Sequence, residues 1–185
     1  LDTIEAAASS EGRITGIATG FTDLDYKLSG LHSSELIIVA ARPAMGKTSF
    51  VLNIAQKAAV RDHVPTAIFS LEMSKEQLVT RMMAMEAMVD SQAIRTGDLQ
   101  EMDWEKIMES AGDIGRSSLI IDDTPGITIA ELRSKCRRYK QMHGLDLIII
   151  DYLQLMSGGR RLESRQQEIS EISRSLKALA REMDA

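Results

Sequence analysis

Short apolar runs alternate along this chain with stretches whose apolar residues recur every three or four positions. The runs are Leu36-Ile37-Ile38-Val39-Ala40, Pro65 to Glu72, Ser118 to Asp122 and Leu147 to Asp151. Each is brief and the first is rich in β-branched residues, which predicts buried parallel strands. Between the runs the period changes. Ser49 to Ala55, then Leu78, Met82, Met83 and Met85, then Trp104, Ile107 and Met108, then Ile169, Ile172, Leu176 and Leu179 follow helical spacing. Ser74-Lys75-Glu76-Gln77 and Thr128-Ile129-Ala130-Glu131 are capping boxes that open two of these helices. Asp103 reads as the cap of the helix that holds Trp104. Leu24, Leu28 and Leu31 share one helical face ahead of the first run, with Gly30 as its stop, and Gly97 and Gly144 read as further terminators. Ser91 to Gly97 is a turn or short helix, and Asp123-Thr124-Pro125-Gly126 is turn chemistry. Strands that alternate with helices predict an α/β fold, a mostly parallel sheet with helices on both faces.

Composition narrows this picture. A length of 185 residues allows one domain with an arm. Residues 1–13, Ala-rich and ending in Ser-Ser-Glu-Gly, read as a linker remnant, and 14–185 as the domain. Eleven Met against three Phe and one Trp predict an aliphatic core with Met as filler. The net charge of −5 argues against a freely diffusing nucleic-acid binder, so any such contact needs a local basic patch. A single cysteine, Cys136, excludes an intrachain disulfide and a cysteine cluster for zinc. His32, His63 and His143 lack ligand spacing and read as surface or loop residues. No apolar run approaches the length of a membrane span and no signal-peptide pattern is present, so the expectation is a cytoplasmic protein with no membrane partner.

The candidate chemistry sits at the ends of the runs. Ala41-Arg42-Pro43-Ala44-Met45-Gly46-Lys47-Thr48 joins the first run to the first long helix. A strand, a tight loop ending in Gly-Lys-Thr and a helix make a phosphate-binding loop, although Ala41 stands where the general pattern has Gly. Loop amides and helix N-terminal donors converge on one anion, Lys47 adds charge at the β- and γ-phosphates, and Thr48 offers a hydroxyl to magnesium. Gly46 is expected where a Cβ would collide. In an open parallel sheet ligands lie at the carboxyl ends of strands, and two other runs end there in Glu72 and Asp151. Asp151 fits an acid that orients magnesium; its alternative is a strand-end Asp that caps a turn. Glu72 fits a general base for water; its alternatives are a solvated Glu or a magnesium-shell ligand. Arg160, Arg161 and Arg165, beside Gly158 and Gly159, form a basic loop that suits either nucleic-acid phosphates or plain solvent. Arg137-Arg138-Tyr139-Lys140 reads as a solvated helix end.

Thr19 to Asp25 (TGFTDLD), Val39 to Thr48 (VAARPAMGKT), Phe69 to Ser74 (FSLEMS) and Ile149 to Met156 (IIDYLQLM), with Asp122 to Gly126 (DDTPG) and Arg165 to Arg181, resemble the C-terminal motor domain of bacterial replicative helicases of the DnaB family. The resemblance runs from about Ile14 onward, and that family's loop resembles this one in having Ala at the position of Ala41. It implies a RecA-like phosphate-loop NTPase fold, ATP and Mg2+ as cofactors, a homo-hexameric ring, movement along single-stranded DNA, and a primase and a helicase loader as partners. Lys47 and Thr48 match its phosphate and magnesium positions, Glu72 its catalytic glutamate and Asp151 its second-motif aspartate. Ala44, Gly46 and Ser49 match its phosphate-cradling backbone, and Arg81 an arginine near the adenine. It further implies that a strand with a phosphate sensor, an arginine finger and much of the DNA-gripping loop lie beyond residue 185, so that the chain is a truncated piece. Two other readings stand beside the helicase motor. One is a RecA-type recombinase or regulatory ring ATPase with the same site. The other is a non-catalytic nucleotide-binding or interaction module.

Overall fold

The computed structural model describes residues 14–153, 156 and 165–185. In chain order the elements are α1 (Thr22–Leu28), α2 (Lys47–Ala55) continued by a π-helical turn (Gln56–Arg61), β1 (Thr66–Ser70), α3 (Lys75–Ala87), α4 (Ser91–Thr96), α5 (Glu101–Arg116), β2 (Leu119–Asp122), α6 (Ile129–His143), β3 (Leu147–Asp151) and α7 (Arg165–Met183). The three strands form one parallel sheet in the order β2-β1-β3. Thr66 stands opposite both Leu119 and Leu147, and Ser70 opposite Asp151, so all three strands point their carboxyl ends the same way.

β1 is buried along its whole length, and its side chains alternate between two cores. Ala67 and Phe69 pack with Leu132 and Cys136 of α6 and with Ile172, Leu176 and Leu179 of α7. Ile68 faces the other side, among Leu52 and Ala55 of α2 and Leu78 and Met82 of α3. Helices therefore cover both faces, as the alternating pattern predicts. Burying a side chain such as Phe69 or Leu132 contributes about 1.5–3 kcal/mol each. Cys136 is free and buried, and burial together with the charges of Asp122 and Glu182 pushes its thiol up to about 12, an inert core residue.

The expected strand at 36–40 is absent from the sheet. Just before it, Ser34 is tied to α7 and the residues after it, where Ser34 N–H donates to Ala185 O (3.0 Å) and Lys177 Nζ donates to Ser34 O (2.8 Å). From there to the phosphate loop no ladder partner lies alongside among the described residues, and Ile38 is 69% exposed. A β-branched apolar run reports a preference for a pleated, covered surface; pairing also needs a neighbour's free edge at hydrogen-bonding distance.

Other boundaries moved for local reasons. α1 stops at Leu28, with Ser29 in the left-handed region (φ 57°), so Leu31 lies outside the helix. Leu31 instead bridges to Ile17, and the two segments approach so closely that a Cβ on Gly16 would meet Leu31 O at 2.4 Å. α5 starts after Gln100, and Asp103 is its third residue, accepting from Gln100 N–H (3.1 Å). In its stripe only Ile107 is buried; Trp104 and Met108 are more than half exposed. Methionine is filler at Met82, Met156 and Met183, but Met45, Met88, Met102, Met108 and Met142 face outward. Arg137, near the solvated end of α6, is ion-paired with Glu182 of α7.

Candidate functional site

The loop ahead of α2 is built to leave donors open. Met45 N–H closes a turn onto Arg42 O (3.3 Å), and Ala44 (φ 61°) and Gly46 (φ 81°) are both left-handed. Gly46 supplies that φ, which an L side chain rarely adopts, and a Cβ there would meet no protein atom within 4 Å. α2 begins at Lys47 with no side-chain cap and no acidic residue in its first turn, and its first helical bond is Phe50 N–H to Gly46 O (2.9 Å). The amides of Lys47, Thr48 and Ser49 thus precede the helical ladder, where the positive end of the helix dipole suits an anion. Residues Ala41 to Gly46 and Ser49 are all exposed.

Lys47 and Thr48 turn inward onto one carboxylate. Lys47 Nζ lies 3.1 Å from Asp151 Oδ1, and Thr48 Oγ1 donates to Asp151 Oδ2 at 2.6 Å. Asp151 is buried at the end of β3. A buried carboxylate needs such partners, because an unpaired one costs several kcal/mol. The Lys47 ammonium also stands 4.2 Å above the Tyr152 ring, a cation–π contact. Leu71 N–H donates to Asp151 O (2.7 Å), which places Glu72 one residue past the point where β1 is tied to β3. The Glu72 side chain is exposed, with no hydrogen bond or ion pair among the described residues.

The structure thus brings together Lys47, Thr48 and Asp151, with the Glu72 backbone adjoining. Arg81 is exposed on α3 without a polar partner among the described residues. Arg160 and Arg161 lie outside the described residues, as does the side chain of Arg165. No cluster of three or more His, Cys, Asp or Glu suited to a metal occurs among the described residues. The donor set for magnesium is the smaller one of Thr48 hydroxyl and Asp151 carboxylate, oxygen ligands of the kind that ion takes when phosphates and water complete its shell.

Reading the sequence alone missed three supports. The first is Tyr152, since a lone Tyr after a strand carries no local signal. In the Thr19 to Asp25 segment, buried Asp25 accepts from Thr19 N–H (2.8 Å), Thr19 Oγ1 (2.7 Å) and Gly20 N–H (3.1 Å). Burial pushes that carboxyl up, but these hydrogen bonds outweigh it and hold it below the ordinary range. The turn so fixed stacks Phe21 on Phe50 of α2, with ring centroids 4.9 Å apart. The third support is Asp123, which accepts from Lys75 N–H at the start of α3 (3.0 Å).

A parallel sheet with helices on both faces, a Gly-Lys-Thr loop opening α2 and an aspartate at the end of β3 beside it define the class: a RecA-like phosphate-loop domain. The sequence profile described as the DnaB-like helicase C terminal domain matches residues 16–185, and the chain belongs to that family. Replicative DNA helicase DnaB of Geobacillus stearothermophilus is 55% identical over 184 residues, covering 99% of this chain and 40% of that protein. The chain therefore spans about 40% of the length of the curated relatives it matches. Among solved structures, one described as an ATPase domain superposes with a TM-score of 0.92 at 36% identity, covering 100% of this chain and 66% of that one. A DnaB-like replicative helicase, solved with attention to its interactions with primase, gives 0.91 at 36%, covering 100% and 45%. The RadB recombinase shares the fold alone, with a TM-score of 0.51 at 19% identity over 91% of this chain and 66% of that one.

Proposed function

We propose that this chain is the ATP-hydrolysing motor domain of a replicative DNA helicase, which moves along single-stranded DNA and unwinds duplex. The observation that carries this reading is the convergence of Lys47 and Thr48 on Asp151, 103 residues from Thr48 in sequence, beside the uncapped start of α2. The site fits magnesium–ATP, which supplies the phosphoanhydride bond to be broken and partly neutralises its charge. The open amides of the loop from Ala41 to Ser49 cradle the phosphates, and Lys47 places its ammonium against them. The Thr48 hydroxyl and the Asp151 carboxylate are the oxygens that would hold the magnesium ion, directly or through its waters. Glu72 orients the attacking water and accepts its proton. Arg81 lies toward the adenine, and Arg160, Arg161 and Arg165 meet DNA phosphates. A homo-hexamer, with primase and a loader as further partners, follows the helicase relatives; for the solved helicase, the primase interaction is part of its description. The recombinase reading is disfavoured by the contrast between 55% identity to a replicative helicase and 19% to the recombinase.

The test uses the natural full-length gene product with magnesium, ATP and forked DNA. Lys47→Ala is expected to abolish ATP turnover and strand displacement. Glu72→Gln is expected to keep nucleotide binding and lose turnover by roughly 10²–10⁴-fold, the usual contribution of a general base. Wild-type turnover by an intact Lys47→Ala protein overturns the site. ATP hydrolysis without strand displacement by the unmodified protein overturns the helicase reading.

A further inference from the structure

We infer that Ser70 and Asp123 are positioning residues for Glu72, bracing loop 71–74 from its two ends; this rests on the reading of Glu72 as the base. The carboxylate of Glu72 has no hydrogen bond or ion pair of its own among the described residues, so what the fold fixes is the backbone from which that side chain reaches. That backbone is tied at three places. Leu71 N–H donates to Asp151 O (2.7 Å), which anchors the residue before Glu72 to the metal-side strand. Ser70, the buried last residue of β1, then closes a small ring around Leu71 and Glu72. Its Oγ donates to Met73 O (2.6 Å) and accepts from Met73 N–H (3.2 Å), so one hydroxyl satisfies both backbone groups of the residue after Glu72. On the far side, Asp123 Oδ2 accepts from Lys75 N–H (3.0 Å), an orphan donor of the first turn of α3. A carboxylate there is favoured by the helix dipole, and the hydrogen bond is charge-assisted.

The residue before Asp123 is held in place by α6. Asp122 accepts from Lys135 Nζ (2.6 Å) and Tyr139 OH (2.9 Å) of α6. The start of α3 is therefore fixed to the corner after β2, and the loop carrying Glu72 spans between that corner and β3. A general base must come within about 2.6–3.2 Å of its proton, and a displacement of about 1 Å costs on the order of 10²-fold. Removing either brace lets Glu72 drift while the phosphate loop, held by other contacts, keeps its grip on nucleotide.

The experiment measures ATP turnover, KM and nucleotide affinity of the natural full-length gene product with single-stranded DNA. Asp123→Ala and Ser70→Ala are each expected to lower kcat by about tenfold or more, with KM and nucleotide affinity changed by less than about threefold. Asp123→Asn, whose side-chain oxygen still accepts from Lys75 N–H, is expected to recover most of the loss. In a Glu72→Gln background the same substitutions are expected to cost nothing more, because residues that act through one group are not additive. Wild-type kcat for Asp123→Ala overturns the inference, as does an undiminished further loss on top of Glu72→Gln. Asp123 is half-buried at a loop, so that variant decides the matter even if Ser70→Ala fails to fold. Wild-type turnover by Glu72→Gln itself overturns the base assignment, a result separable from failure of the braces.

Discussion

Two strands of this sheet end in an aspartate that holds a lysine ammonium, and the two stand in different surroundings. Asp151, at the end of β3, receives Lys47 (3.1 Å) and Thr48 (2.6 Å) from the loop–helix junction. Asp122, at the end of β2, receives Lys135 (2.6 Å), Tyr139 (2.9 Å) and Thr124 N–H (3.1 Å). Lys135 also donates to Thr124 Oγ1 (2.6 Å), so the donors and acceptors around Asp122 satisfy one another. Burial pushes the Asp122 carboxyl up, but hydrogen bonds from Lys135, Thr124 and Tyr139 outweigh it and bring it down to about 2. Around Asp151, in contrast, the partners come from a segment whose neighbouring amides have no cap. Spare hydrogen-bonding capacity nearby, rather than the Asp–Lys pair itself, is what distinguishes the end of β3 from the end of β2.

The largest effect that would sharpen this contrast is at Asp151. Asp151→Asn is expected to lower ATP turnover by on the order of 10²–10³-fold, the scale of losing one electrostatic stabiliser. Asp122→Asn should leave nucleotide affinity unchanged; nucleotide titration of both variants checks the pair. Next comes Lys135→Ala, which strands a mostly buried carboxylate. It should cost about 2–3 kcal/mol, or roughly 5–10 °C in melting temperature for a domain of this size. A melting temperature indistinguishable from that of the unmodified protein would break the comparison.

A smaller effect follows from pH. The Asp122 carboxyl is lowered on folding, so its contribution is present above the unfolded value of 3.8 and is lost as pH falls through about 2. Denaturant melts between about pH 5 and pH 2 should show this loss, and Asp122→Asn should flatten it. The smallest effect is at Phe21→Leu, which removes the stack on Phe50 and should cost about 0.5–1.5 kcal/mol beyond lost area. Urea denaturation would measure it.

Some of this molecule was legible residue by residue. Ser74 with Gln77 and Thr128 with Glu131 form the expected capping boxes, because capping depends on side chains three positions apart. The runs at 66–70, 119–122 and 147–151 pair as strands within a residue or two of their predicted ends. Gly97 (φ 76°) and Gly144 (φ 78°) mark helix ends. The Ala41 to Thr48 segment leads into a helix as its spacing predicts, and Asp151 ends β3, while Glu72 lies two residues past the end of β1. Resemblance to the DnaB family added the expected fold and motor function.

Other features needed the third dimension. Leu36 to Ala40 is as strand-like in sequence as Leu147 to Asp151, yet only the latter lies along β1. Trp104 and Met108 have helical spacing but point outward, since the width of a buried stripe depends on the shape of what covers it. Asp122 and Asp151 look alike as strand-end carboxylates, and only the folded chain assigns one to α6 and the other to the phosphate loop. Local order was decided by the sequence itself, because propensity, capping and turn chemistry act over a few residues. Pairing, burial and the partner of each charge were decided by tertiary structure, because they depend on groups far apart in the chain that fold onto the same few ångströms.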